Sequence, residues 1–551
     1  MIQSLELQDL FKKIVIGVEL VRAASASPIS PRRLEIFFSH DVAELVLLLD
    51  GVQSYLPALR LRLKNSSLKH LLILVSRPEE LRWLVESVEN RDLFETEGLD
   101  WGCVSKEEGV PLEEYQNYWT GKEPGLHLQK FSDPQTDSLE GLYADLEKKH
   151  RYVIANRSTW GGSVEDEFIA FRQSLQNIPH FLQRPDFRNW QKGFENRPVF
   201  VIGAGPSLDQ EVEFVRRFQD RAIVIAADTL YRKLSEAEIH PHIFVSLERI
   251  SLVATLFKSK EWNRSILVAP QVMPPEALSI FAGPQALFLL PHVWNSFLKF
   301  RRVVMQTGHS CVGVGLSLAN VLTRKATYLF GIDLCFGEDL KSHSNFSPYR
   351  TPDFAEADSA IEEWRKDAVP ILNRNAKQVM THLYWLRFRE DFESIIARAK
   401  APFFVTSKEG LRLKGSQEIS YSDFEAQLSS LPSFDAYEEL QASLTYDRNA
   451  EAHEDLRLFK ESLKKLEGVV IAHSELFKNP SSQWEPLLLS IPYGPEVLGP
   501  ILKSGFMRLN SKIPELEKHG QESIEKVWRD LPEVLRSARQ SLDEFQADRL
   551  Y

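Results

Sequence analysis

The sequence predicts an α/β protein built around a doubly wound parallel sheet. The stretch 197–335 contains short, continuous apolar runs, which are typical of strands buried on both faces of a sheet. Helical patterns separate these runs, and the first run ends in Gly203-Ala204-Gly205 directly before a helical pattern. Alternating strands and helices of this kind predict a central Rossmann-like domain with helices on both faces of its sheet.

The predicted elements divide the chain into four parts. A small α/β accessory domain (1–110) has predicted strands at 34–38 and 70–76 and predicted helices at 41–63 and 78–94. A helical connector covers 111–195, the central nucleotide-sugar-binding domain covers 196–430, and a charged, helical C-terminal domain covers 431–551. The central strands are predicted at 199–203, 222–227, 242–247, 265–270, 286–290 and 326–332. The stretch 357–400 reads as helical, and 402–415 reads as one more strand with a glycine turn.

Composition excludes several classes of protein. The formal net charge is −11, so an acidic surface repels nucleic-acid phosphates and anionic membranes. The three cysteines fit neither a zinc site nor a disulfide framework, which favours a reducing compartment. No apolar run is long enough to cross a bilayer. The lysines and apolar residues near the N-terminus read as an amphipathic helix of a cytoplasmic protein rather than as a signal peptide.

The stretch VFVIGAGPSLD predicts a phosphate-binding turn. Gly203 and Gly205 would let a phosphate approach the backbone, Pro206 suits a first helical turn, and Ser207 can cap the helix or contact an anion. Leu208 stands where the dinucleotide fingerprint needs glycine, and no Gly-Lys-Ser/Thr follows as in a P-loop. A tight turn without a ligand stays open as the alternative.

Polar residues end three further predicted strands. These are Asp228, Ser246 with Glu248, and Asp333. Since ligands of an open parallel sheet bind at the carboxyl ends of its strands, the four side chains predict a nucleotide site, with Asp228 placed to contact ribose hydroxyls. Each could instead cap a helix or face solvent in a turn. No close carboxylate pair occurs among them, so no metal is predicted.

Three stretches resemble the motility-associated factor (Maf) family of flagellin glycosyltransferases. They are FVIGAGPSLD, AIVIAADTLYRKLSEAEIHPHIFVSLE and TGHSCVGVGLSLANVLTRKATYLFGIDLCF. The first and third also resemble small bacterial sialyltransferases. The resemblance covers about 190–415 and is looser on either side.

The resemblance implies a glycosyltransferase that moves a nonulosonic acid, of the pseudaminic or legionaminic type, from a CMP-activated donor to serine or threonine of flagellin. The donor is then a substrate, and no further cofactor is required. The resemblance places the phosphate and ribose on the Gly203–Ser207 turn beside Asp228, with Thr307, His309 and Ser310 facing the nucleotide from a helix start. Glu248 stands where the family often has aspartate, and His309 departs from the family's glycine-rich helix start.

Transfer from such a donor requires a base that removes the acceptor proton. The resemblance to sialyltransferases assigns this role to His343, in the loop 339–349 after Asp333, and these two residues are the predicted catalytic pair. His309 is the rival base, and Tyr349 is a candidate donor to the leaving phosphate.

Two other functions stay open. The Gly-Pro-Ser-Leu turn also resembles archaeal 6-hydroxymethylpterin pyrophosphokinases, which would require ATP and magnesium. The departures at Glu248 and His309 also permit a non-catalytic protein that binds flagellin as a chaperone.

Overall fold

The computed structural model describes residues 44–49, parts of 56–103, 164–347 and 361–444 with short gaps, 449–472, parts of 497–502, and 514–545. The chain divides into two compact units, residues 1–161 and 162–551. The finer division into four parts stays a prediction. Within the described residues, no helix is both long and apolar enough to span a membrane.

The first unit contains a three-stranded parallel sheet. Its strands are β1 (Glu44–Leu49), β2 (His70–Val75) and β3 (Leu99–Cys103), in that order, and helix α1 (Pro78–Glu86) follows β2. The prediction of a helix over 41–63 is wrong at β1, because the run ELVLLL pairs along its whole length with β2. Such an unbroken apolar run suits a buried strand as well as a helix. The strand predicted at 34–38 lies outside the described residues.

The second unit is built on an eight-stranded, all-parallel sheet among the described residues. The strand order is β13-β12-β9-β4-β5-β6-β7-β8. The chain therefore moves outward from β4 to β8 and then returns to the other side of β4, which makes the β4–β9 boundary a topological switch point. The strands are β4 (Val199–Ile202), β5 (Ile223–Ala227), β6 (Ile243–Val245), β7 (Ile266–Pro270), β8 (Gln285–Phe288), β9 (Thr327–Phe330), β12 (Phe403–Val405) and β13 (Ser416–Glu418).

Helices cover both faces of this sheet, so the doubly wound α/β prediction is confirmed. The described helices of this unit are α2 (Val164–Gln176), α3 (Ile178–Gln183), α4 (Trp190–Gly193), α5 (Leu208–Phe218), α6 (Lys233–Glu236), α7 (Val253–Leu256), α8 (Pro275–Ile280), α9 (Cys311–Leu322), α10 (Leu383–Ala397), α11 (Tyr421–Ser429), α12 (Ala436–Ala442), α13 (Asn449–Ala472) and α14 (Pro514–Glu544). On one face, α9 passes so close to the strands that a Cβ at Gly315 would lie 3.0 Å from Val201. On the other face, Phe200 packs in a buried apolar cluster with α5 and with Phe424 of α11.

The stretch 357–400 departs from the helical prediction. It contains an antiparallel hairpin, β10 (Val369–Leu372) and β11 (Gln378–Thr381), before α10 begins. The side-chain oxygen of Asn373 accepts hydrogen bonds from the amides of Asn375 and Lys377, both at 3.0 Å, which fixes the tight turn. Asparagine bonds of this kind favour turns over helix.

Candidate functional site at the carboxyl edge of the central sheet

The turn Gly203–Ser207 packs against the turn that follows β9. A Cβ atom at Gly203 or at Gly205 would lie 2.7 Å from the carbonyl oxygen of Gly331. Gly331 itself has φ +60°, a conformation that favours glycine. The two glycines of the predicted phosphate turn are therefore required by the close approach of two backbones at the switch point.

Three amides of this turn, those of Gly203, Gly205 and Ser207, are bonded within the protein. Gly205 N donates to the carbonyl oxygen of Gly331 at 2.8 Å, and Ser207 N donates to Oδ2 of Asp333 at 2.8 Å. Pro206 lies outside the helix that it was predicted to begin, because α5 starts at Leu208. Ser207 is the N-cap residue, although its side chain makes no capping bond. The phosphate-holding role of these four residues stays a prediction.

A buried carboxylate, Glu211, joins three segments beneath the turn. Its Oε2 accepts from the Ser207 hydroxyl at 3.1 Å and from the Gly331 amide at 2.9 Å, and its Oε1 accepts from the Thr406 hydroxyl. Burial raises the pKa of Glu211 to about 7. Sequence reasoning missed Glu211, because an acidic residue in a first helical turn is common and signals no special role.

Asp333, one of the predicted catalytic pair, is buried beside Arg374. Burial raises the pKa of Asp333, while the bond from the Ser207 amide and the charge of Arg374 oppose that rise. The guanidinium of Arg374 donates to the carbonyl oxygens of Ser407 at 2.6 Å and Ile332 at 3.3 Å. Asp333 thus ties the first turn to the end of β9, and its catalytic role stays a prediction.

The loop that carries His343 is docked on the same turn. Ser344 N donates to the carbonyl oxygen of Ala204 at 2.9 Å, and Asp209 accepts from the Asn345 amide at 2.8 Å and pairs with Lys341. The half-buried ring of His343 has Nδ1 3.0 Å from the hydroxyl of Ser342. The structure therefore places His343 near the edge of the sheet, and its role as the base stays a prediction. Tyr349 lies outside the described residues.

The predicted residues at the ends of β5 and β6 form a hydrogen-bonded cluster with the start of α9. Asp228 is fully buried, and its carboxylate accepts from the Ser246 hydroxyl at 2.5 Å and from the Thr229 amide at 2.8 Å. Cys311 is a further hydrogen-bond partner of Asp228. Burial raises the pKa of Asp228, against these hydrogen bonds. Its contact with ribose stays a prediction, since Asp228 has no exposed surface here.

Glu248 is half-buried beside this cluster, and the structure records no hydrogen bond to its carboxylate among the described residues. Burial raises the pKa of Glu248 to about 7, and the charge of Asp228 adds to the rise. The next residue, Arg249, pairs with two acidic side chains of α2, Asp166 at 2.6 Å and Glu167 at 3.2 Å. The part played by α2 has no signal in the sequence, because its acidic residues match an ordinary helix start.

The segment before α9 carries the three remaining predicted residues. Thr307 is buried, and Ser310 is the N-cap of α9, where its hydroxyl oxygen accepts from the Gly313 amide at 3.2 Å. The side chain of His309 is 52% exposed, and its ring Nδ1 lies 2.8 Å from Oδ2 of Asp391 in α10. Asp391 was not predicted, because it is 82 residues from His309 in the chain.

The start of α9 joins the two halves of the site. Val312 lies against Gly203, because a Cβ atom at Gly203 would be 3.2 Å from the Val312 Cγ2. The neighbouring Cys311 is a hydrogen-bond partner of Asp228. Predicted residues from five parts of the sequence thus lie along one edge of the sheet. Among the described residues, no group of three His, Cys, Asp or Glu side chains is placed to hold a metal ion.

Comparison with known proteins gives two findings. A family model described as 6-hydroxymethylpterin diphosphokinase MptE-like matches residues 172–339, less than half of the chain. A solved structure, the MAf glycosyltransferase from Magnetospirillum magneticum AMB-1, aligns over 98% of this chain and 89% of its own, with 16% identity and a TM-score of 0.48. That likeness is too distant to carry an argument about activity. No curated protein matches the chain. The chain is therefore similar to the MptE-like family over residues 172–339, which include the Gly203 turn, Asp228 and the start of α9.

Proposed function

We propose that this protein is a glycosyltransferase that takes a nonulosonic acid from a CMP-activated donor and attaches it to a hydroxyl of a protein acceptor. The observation that carries the proposal is the meeting of the Gly203 turn, the Asp228–Ser246 pair and the start of α9. The stretches that contain these residues are the ones that resemble Maf and sialyltransferase sequences. By the same resemblance, the acceptor is serine or threonine of flagellin. The sparse cysteines favour a reaction in the cytoplasm.

We place the donor phosphate at the start of α9 rather than on the turn. The amides of Gly205 and Ser207 are bonded within the protein, whereas the amide of Val312 has no acceptor among the described residues. The N-terminal end of a helix favours an anion, and α9 has three turns to supply that field. Glu248 is placed to accept hydrogen bonds from ribose hydroxyls at the same edge.

A second function is favoured by the family-model match. A diphosphokinase of the MptE-like type would use the same edge of the sheet for ATP, with magnesium, and would transfer a diphosphate to a pterin alcohol. Both reactions bind a nucleotide phosphate and remove a hydroxyl proton. They differ in the nucleotide and in the requirement for metal.

Calorimetric titration of the full chain with CMP and with ATP, each with and without magnesium, tests the proposal. We expect CMP to bind without metal, and we expect Glu248→Gln to weaken CMP binding about tenfold, as for the loss of a hydrogen bond to a charged group. Asp220→Asn is the matched control, because Asp220 is exposed and precedes β5 at the opposite edge.

Magnesium-dependent binding of ATP, with no binding of CMP, would assign the diphosphokinase function instead. Binding of CMP without either transfer or hydrolysis of a CMP-nonulosonic acid would leave a non-catalytic flagellin-binding protein.

A further inference from the structure

His309 and Asp391 form a paired unit at the rim of the site. Oδ2 of Asp391 accepts two hydrogen bonds from the same residue, one from the backbone amide of His309 at 3.0 Å and one from its ring Nδ1 at 2.8 Å. Gly308 has φ +66°, and a Cβ atom there would run into the Asp391 carboxyl group. The glycine before His309 is thus what allows the carboxylate to approach.

This contact determines which ring nitrogen can accept a proton. A carboxylate only accepts hydrogen bonds, so Nδ1 must carry the hydrogen and Nε2 must present its lone pair. Arg387 pairs with the other carboxylate oxygen of Asp391 at 3.5 Å. The carboxylate is 12% exposed whereas the His309 side chain is 52% exposed, so the imidazole faces outward from a covered, anchored anion.

The pair lies next to the groups that the donor would contact. His309 directly precedes Ser310, the N-cap of α9. An imidazolium at His309 would interact with the carboxylate of Glu167 in α2, which pairs with Arg249. A second histidine near this edge, His343, has the hydroxyl of Ser342 3.0 Å from its Nδ1.

Resting on the proposed glycosyl transfer, we propose that His309 is the general base of the reaction and that Asp391 is its positioning residue. The Nε2 atom of His309 takes the proton of the acceptor hydroxyl while the hydroxyl oxygen bonds to the anomeric carbon. The bond from that carbon to the donor phosphate breaks at the same time, and its electron pair leaves with CMP. The imidazolium, stabilised by Asp391, then releases the proton to solvent.

The test compares His309→Ala, Asp391→Asn and His343→Ala with the wild-type chain in transfer from a CMP-nonulosonic acid to a flagellin acceptor. We expect His309→Ala to lower kcat about 10²- to 10⁴-fold. We expect Asp391→Asn to lower kcat about tenfold or more with donor KM unchanged, because the ring would lose its fixed tautomer. Glu390→Gln is the matched control, because Glu390 is the neighbour of Asp391 in α10. Its carboxylate accepts a hydrogen bond from Arg387, and none from His309 among the described residues.

A second readout does not depend on activity. The ¹⁵N chemical shifts of His309 should report the Nδ1–H tautomer in the wild type and in Glu390→Gln, and a shift toward Nε2–H in Asp391→Asn. Transfer that survives His309→Ala but is lost in His343→Ala would assign the base to His343 and overturn the inference. An unchanged tautomer in Asp391→Asn would overturn the positioning role. A wild-type chain that binds no CMP would overturn the proposed function and the base role of His309 with it. The tautomer measurement would still show whether Asp391 fixes the ring of His309.

Discussion

Replacement of Glu211 by glutamine should stabilise the protein above neutral pH. The carboxyl group is fully buried, and it accepts from Ser207, Gly331 and Thr406. A glutamine in the same position can accept from Ser207 and Gly331 with its oxygen and donate to the Thr406 hydroxyl with its nitrogen. Glutamine therefore reproduces the bonding pattern of the protonated acid at every pH.

The magnitude follows from the pKa of Glu211. Burial raises this pKa from 4.5 to about 7, so between those values the folded chain holds a proton that the unfolded chain has lost. Stability must then fall as pH rises through this window and level off above pH 7. At about 1.4 kcal/mol per pH unit, the ionised carboxylate costs the folded state about 3 kcal/mol at pH 8. The uncharged side chain in Glu211→Gln carries no such cost.

Urea unfolding followed by tryptophan fluorescence at pH 5 and pH 8 measures this difference, since Trp190 and Trp294 are fully buried in the same unit. We expect Glu211→Gln to exceed the wild type by about 3 kcal/mol at pH 8 and by less than about 1 kcal/mol at pH 5. Glu213→Gln, on the same helix but exposed and paired with Arg216, should change stability by about 0.5 kcal/mol or less at both values. A gap between Glu211→Gln and the wild type that is the same at both pH values would refute the reasoning.

Two further predictions concern the same edge of the sheet. Gly205→Ala should lower the unfolding free energy by about 2 kcal/mol or more, because its Cβ would lie 2.7 Å from the Gly331 oxygen. Gly193→Ala is the control and should not lower it, because a Cβ there would have nothing within 4 Å. Equal urea midpoints for the two variants would contradict this prediction. The thiol of Cys311 should resist iodoacetamide at pH 8 in the folded chain and react once the chain is unfolded. Burial and two neighbouring carboxylates raise its pKa well above the usual range. Rapid labelling of Cys311 in the folded chain would contradict this prediction.

The central sheet could be predicted from the sequence because its strands are buried on both faces. All six predicted central strands are present, within a few residues of their predicted bounds. An unbroken apolar run can form a strand or a helix, and only its length and flanking residues distinguish the two. For this reason the run ELVLLL of β1 was predicted as part of a helix. In β10 a proline, Pro370, stands inside the run VPIL and argues against a strand, so the hairpin gave no clear strand signal.

The site was only partly predictable, for a different physical reason. Residues that directly follow strands, such as Asp228 and Asp333, can be found because strand ends share one edge of a parallel sheet. The groups that hold them cannot be found in this way. Thr406 is 195 residues from Glu211, and Asp391 is 82 residues from His309. No pattern in the sequence records which distant polar groups a fold brings into contact.

The Gly-x-Gly turn shows the limit of a motif most directly. Glycine signals that something approaches the backbone closely, but it does not say what approaches. At Gly203 and Gly205 the approaching group is the Gly331 backbone, and the Ser207 amide is bonded to Asp333, a carboxylate of the protein's own chain. An anionic ligand would have to displace that buried carboxylate to bind the Ser207 amide. The start of α9 lies beside Gly203 and offers an amide without a competing protein acceptor among the described residues, so the donor phosphate is better placed there.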